Sequence, residues 1–174
     1  MMSRRNDVGG GGFTLVELLV VVAIIGILMA AVVLAINPLE IMKKGRDATR
    51  LSDMDSLRKA IDLVLADGGT LAVTAVPGDS SAVGASRAVD GTGYVTVDVG
   101  QYLSILPVDP RNGASFTEAA GRTKVGKYLY FSDGSTYELN CYLESASNVS
   151  KYATDGGDDA AMYEVGTDPG LDLM

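Results

Sequence analysis

The chain has 174 residues, a formal net charge of −8 and no histidine. The acidic balance excludes a nucleic-acid interface resting on a general basic surface. The missing imidazole removes the usual general base, pH switch and metal ligand, and the one cysteine, Cys141, excludes an intrachain disulfide and a cysteine-based zinc site.

The first twelve residues, "MMSRRNDVGGGG", are short, polar and carry Arg4 and Arg5. From Phe13 to Ile36 the chain then runs 24 residues with Glu17 as its only charge. As a helix that run reaches roughly 36 Å, enough to cross a hydrocarbon core of about 30 Å. Three readings compete. A secretory signal peptide has a shorter apolar core and small residues after it, whereas here the small residues come first. A plain single-span anchor leaves Glu17 as an unexplained cost in hydrocarbon. The third reading cuts the chain at Gly12–Phe13 and puts Glu17 to use afterwards. Arg4 and Arg5 favour a cytoplasmic N-terminus, with Lys43, Lys44 and Arg46 opposing them beyond the span.

"GFTLVELLVVVAIIGILMA" closely resembles the N-terminal signature of type IV pilins and pseudopilins. The parts are Gly12 at the cleavage point, Phe13 as first mature residue, Glu17 four residues later, and the apolar run from Leu18 to Ile36. The resemblance implies that a prepilin peptidase cuts after Gly12 and methylates the new Phe13 amine. It also implies that Glu17 of an incoming subunit meets the N-terminal amine of a neighbour. Opposite charges that satisfy each other in an apolar bundle offset much of their desolvation cost, and a mispositioned subunit leaves a carboxylate unpaired. Glu17 would thereby set register.

Asn37-Pro38 is expected to kink or briefly break the helix. Beyond it Leu51, Met54, Leu57, Ile61 and Val64 recur at helical spacing and form one apolar stripe, with Arg50, Asp53, Arg58 and Asp62 off it. Gly68-Gly69 is a fitting stop. Residues 69–92 read as a long Gly-, Ala- and Ser-rich loop. Tyr94 to Val99 alternates and is β-branched, which predicts a strand. A short helical turn and a loop bounded by Pro107 and Pro110 follow. "KYLYFSDGSTYELNCYLES" predicts a hairpin turning at Asp133-Gly134-Ser135. Tyr137, Leu139, Cys141 and Leu143 share its core face, where Cys141 is a small buried hydrophobe.

This half is similar to the family too. Major pseudopilins carry a Leu-Pro-x-Asp-Pro stretch before their sheet, here Leu106 to Pro110, and an Asp- and Gly-rich loop after paired strands, here Asp155 to Asp159. Arg111-Asn112-Gly113 replaces the aromatic and Gly-Asn that usually follow, which leaves pilin and pseudopilin both open. Asp155, Asp158 and Asp159 around Gly156-Gly157 are hard oxygen donors of the kind Ca²⁺ takes, without the spacing of an EF-hand. The resemblance implies a calcium loop, and the plain alternative is a solvated acidic turn.

Charge is uneven along the chain. Glu40 to Lys59 carries six basic and four acidic residues, whereas six basic residues face sixteen acidic ones after Ala60. In a helical stack of subunits these could oppose each other, with modest, salt-sensitive energy.

The expected fold is α+β: a long N-terminal helix whose second half packs on a small antiparallel sheet. The segments are a leader (1–12), a membrane-spanning and filament-core helix (13–36), an amphipathic helix (37–67) and a β-rich domain with an acidic loop (68–174). The absence of paired catalytic groups, a phosphate loop or a zinc spacing argues for an assembly subunit rather than an enzyme. The resemblance implies as partners further copies of the chain, the prepilin peptidase, minor pilins, and an inner-membrane platform with its ATPase. It implies residence in the inner membrane with a cytoplasmic N-terminus, then in an extracellular or periplasmic filament. Two alternatives stand beside the type IV pilus-like filament: a type II secretion pseudopilin, and a membrane-anchored Ca²⁺-binding surface domain that never polymerises.

Overall fold

The computed structural model describes residues 12–174, the side chain of Leu34 excepted. Apart from Gly12, the expected leader lies outside the described residues. The chain divides into two compact units, Met1–Pro38 and Leu39–Met174.

The first unit is helix α1, Leu15–Ile36. It is apolar on every side, and its described side chains are all exposed. Leu15–Val33 has a mean hydropathy of 3.0, long and apolar enough to cross a membrane. Asn37 ends the helix in the left-handed region, with φ 47° and ψ 74°, a conformation Asn tolerates better than most residues. Helix α2, Pro38–Ala66, then begins, with Pro suited to the first helical position because its missing N–H would have no partner there. The expected break is therefore present.

In the second unit, α2 buries Met54, Leu57 and Ile61 completely, with Leu51 and Val64 partly buried at the edges of the stripe. Past its end Gly68 takes φ 86°, and the amides of Gly68 and Gly69 turn back to the carbonyls of Leu65 and Val64. The predicted hairpin forms from β4, Tyr128–Ser132, and β5, Tyr137–Cys141, paired from Tyr128↔Cys141 to Ser132↔Tyr137. Asp133 closes the turn by accepting the N–H groups of Ser135 and Thr136. Tyr137, Leu139, Cys141 and Leu143 are all buried in the core with the α2 stripe. Two tyrosines span the layers with their polar ends satisfied: Tyr128 donates to Asp53 at 2.7 Å and Tyr137 to Asp62 at 2.6 Å.

Two short strands complete the antiparallel sheet in the order β1-β4-β5-β6. They are β1, Gly78–Asp79, inside the stretch expected to be loop, and β6, Tyr163–Gly166. A separate ribbon pairs β2, Ser115–Thr117, with β3, Thr123–Val125. A short helix α3, Ala146–Val149, and a 3₁₀ turn at Ser150–Ala153 precede the acidic loop.

The strand expected at Tyr94–Val99 does not form. Val95, Val97 and Val99 are buried as its pattern demands, yet the segment meets residues 86–90 only at isolated points: Tyr94 N–H to Ser86, Val99 N–H to Val89, and a bridge between Asp90 and Asp98. Burial without a continuous neighbour gives a packed loop, because a strand needs a ladder for its amides.

Arg50, set off the apolar stripe by its position in the sequence, is fully buried. It grips Asp109 with two bonds of 2.7 and 2.9 Å, Asp47 at 2.9 Å and Glu144 at 2.8 Å. Arg46 closes on Glu144 with bonds of 2.9 and 2.6 Å. Asp47 in turn accepts the amides of Glu144 and Ser145, and Phe116 lies under the Arg50 guanidinium at 4.9 Å. One side chain thus ties α2 to the Leu-Pro-Val-Asp-Pro loop and to the end of the hairpin. Burial pushes the Glu144 carboxyl up, and its arginine partners more than reverse that, leaving it below its ordinary value.

Removing Arg50 takes a guanidinium from three buried carboxylates and leaves Asp109 without its chief partner. Arg50→Ala should lose about 3–5 kcal/mol, read by denaturant unfolding of the full-length chain in detergent; a loss below about 1 kcal/mol would contradict the network's role. Because the Glu144 carboxyl is depressed, its contribution is present above pH 4.5, the ordinary carboxyl value, and is lost as pH falls further.

Candidate functional site

Gly12, Phe13 and Thr14 precede α1 in non-helical, exposed backbone, with Phe13 82% exposed. Among the described residues, nothing lies within 4 Å of a Cβ added at Gly12. Thr14 is the N-cap of α1, and Glu17 is the third helical residue. The Glu17 N–H donates to the Thr14 hydroxyl at 3.2 Å. The Glu17 carboxylate reaches back to accept the Thr14 N–H at 2.9 Å and the Thr14 hydroxyl at 2.8 Å. This reciprocal capping box satisfies two backbone donors that the helix start would otherwise leave open. It also orients the carboxylate toward the N-terminal end of the helix rather than outward along its flank. The one charge in the apolar run is thereby held at the helix start, on Thr14.

The acidic loop is arranged otherwise. Asp155 accepts the N–H of Gly157 at 3.1 Å and of Glu164 at 3.1 Å, and Asp159 accepts the N–H of Ala161 at 2.8 Å. Asp158 is exposed. Among the described residues no three acidic, histidine or cysteine side chains are grouped so as to hold a metal ion. Two of the three aspartates are engaged with backbone amides of the loop and of β6. Glu138 and Glu164 lie beneath the loop, both fully buried, with Asn140 between them.

The prokaryotic N-terminal methylation motif matches residues 11–33. The chain carries the signature of type IV pilins and pseudopilins. No curated protein and no solved structure matches it. The motif falls on Gly12, Phe13, Glu17 and most of α1, the residues singled out from the sequence. For this pilin-like chain the signature implies prepilin-peptidase processing and filament assembly in general terms, and α1 is consistent with a membrane anchor.

Sequence reasoning missed two groups. Thr14 had a readable signal, since Thr-x-x-Glu before an apolar run is a capping-box pattern. The buried Glu138 and Glu164 had none, since on an alternating strand a polar residue is expected to face water. Thr14→Ala in the pilin-like chain should raise the exchange of the Glu17 amide about fivefold, the size of effect a lost N-cap gives. Hydrogen exchange of the micelle-bound chain reads it, and an unchanged rate would show that the box does not hold the helix start.

Proposed function

We propose that this chain is a non-catalytic structural subunit of a type IV pilus-like filament, processed at Gly12–Phe13 and polymerised through α1. The observation that carries the reading is the Thr14–Glu17 box at the head of a bare apolar helix. Before assembly, lipid covers α1; afterwards, copies of α1 cover one another, and neither setting contains water. In both, the Glu17 carboxylate is aimed at the N-terminal end, where a neighbour's amine can meet it. The cytoplasmic N-terminus, the minor subunits and the assembly platform belong to the same proposal.

A second reading, a subunit of a type II secretion pseudopilus, is favoured by one observation. Asp109 of the Leu-Pro-Val-Asp-Pro stretch is the chief partner of buried Arg50, so the segment resembling major pseudopilins is a structural element here. The two readings share the chemistry at Gly12 and Glu17. They part on deletion phenotype: loss of sheared surface fibres for the first, loss of secretion with fibres unaffected for the second.

Glu17→Leu tests the assembly claim common to both. The leader should still be removed and the subunit should accumulate in the membrane, while incorporation into filaments falls at least tenfold. Immunoblots of membrane and sheared or periplasmic filament fractions read this. Wild-type incorporation of the variant would overturn the role given to Glu17.

A further inference from the structure

The outer face of the sheet, away from α2, hides two carboxyl groups that the assembly reading does not use. In the β5–β6 ladder Asn140 lies opposite Glu164, and Glu138 opposite Gly166. Glu138 and Glu164 are therefore diagonal neighbours on one face, both with 0% exposure. The Asn140 amide nitrogen donates to Glu138 at 2.7 Å and, more weakly, to Glu164 at 3.4 Å. The ladder register sets the two carboxyl groups close enough for each to act on the other. Neither makes an ion pair among the described residues. Among the described residues the neighbouring charges that act on them are Asp155 and Asp158 of the acidic loop, both of the same sign, while Asp159 meets Glu164 through its backbone amide.

Each carboxyl group holds a covering segment. Glu164 accepts the Asp159 N–H at 3.0 Å, and Glu138 accepts the Leu173 N–H at 2.8 Å. The acidic loop lies so close that a Cβ on Gly157 would sit 1.9 Å from Glu164 Oε2. The segment after β6 is held under backbone strain: Leu171 is buried with φ 50°, in the left-handed region unfavourable to a Leu.

Two carboxylates buried side by side without a cation cannot both stay ionised, since burial and like charge both oppose it. We propose that Glu138 and Glu164 share one proton, and that this proton latches the acidic loop and the 171–174 segment onto the sheet, so that its loss releases both. The proposal is independent of the filament reading, because the latch lies wholly within the second unit.

Burial above all, then the neighbouring acidic charges, raises the Glu164 carboxyl to about 8, and burial raises Glu138 as well. A raised carboxyl stabilises the fold fully below its unfolded value near 4.5 and loses that contribution as pH climbs through about 8. The latch is thus closed in neutral and acidic media and opens in alkaline ones.

Hydrogen exchange of the full-length chain in detergent, corrected for intrinsic rates, tests this from pH 6 to 9.5. The Asp159 and Leu173 amides should lose protection at least tenfold across that range, while core amides of β4 stay protected. Glu164→Gln, which keeps the shape and neutral charge of the protonated form, should retain protection at pH 9.5. Gly157→Ala, which forces the loop off Glu164, should show a released loop at every pH and supplies the open reference. Equal wild-type protection at both ends of the range, or a Glu164→Gln profile that follows wild type, would overturn the proposal. So would protection that millimolar calcium chloride sets and pH leaves unchanged, since a cation would then neutralise the pair.

Discussion

An apolar helix of 22 residues, with its described side chains all exposed, has no place in water. Each Leu, Ile or Val left wet forgoes about 1.5–3 kcal/mol relative to burial. The second unit does not need this helix for its own core, which closes around the α2 stripe and the sheet. A helix this long and apolar is consistent with a membrane anchor. Against that background a single carboxylate in the run becomes informative. Glu17 is held at the helix start by Thr14 and faces backward, toward the end that processing would expose as a free amine.

The second unit shows two contrasting ways of burying carboxylates. Around Arg50, three acids are matched by guanidinium groups and by backbone amides, so their charges are kept inside a closed network. Such networks seldom add stability over an apolar replacement, but they are costly to break and fix one arrangement of the parts. On the other face of the sheet, Glu138 and Glu164 have amide donors and each other, and no cation among the described residues. The first arrangement weakens in acid and the second in alkali.

Much of the architecture was legible because its signals are local. The α1 run, the break at Asn37-Pro38, the stripe from Leu51 to Val64 and the hairpin around Asp133-Gly134 each depend on residues within a few positions of one another. What stayed hidden depends on distant neighbours. Arg50 is polar by type, and its burial follows from Asp109 and Glu144 arriving from 59 and 94 positions away. Tyr94–Val99 has the alternation of a strand, but its burial comes from packing and it lacks a continuous partner. Glu138 and Asn140 alternate with core residues as solvent-facing positions should, and the returning acidic loop and tail cover them. At the candidate site Gly12, Phe13 and Glu17 were singled out through the resemblance of the N-terminal stretch to a known signature, and the methylation motif falls on them. The reciprocal bond from Thr14 was readable too, in the Thr-x-x-Glu pattern.

The central claim is that the bond between Gly12 and Phe13 is cut and that the new end serves assembly. Intact-mass and N-terminal sequence analysis of the chain from its native membrane and filament fractions tests it most directly. The account predicts a chain beginning at Phe13 and heavier by one methyl group, present in both fractions. A chain that retains residues 1–12 in every fraction would contradict it and leave Glu17 a charge in an ordinary anchor.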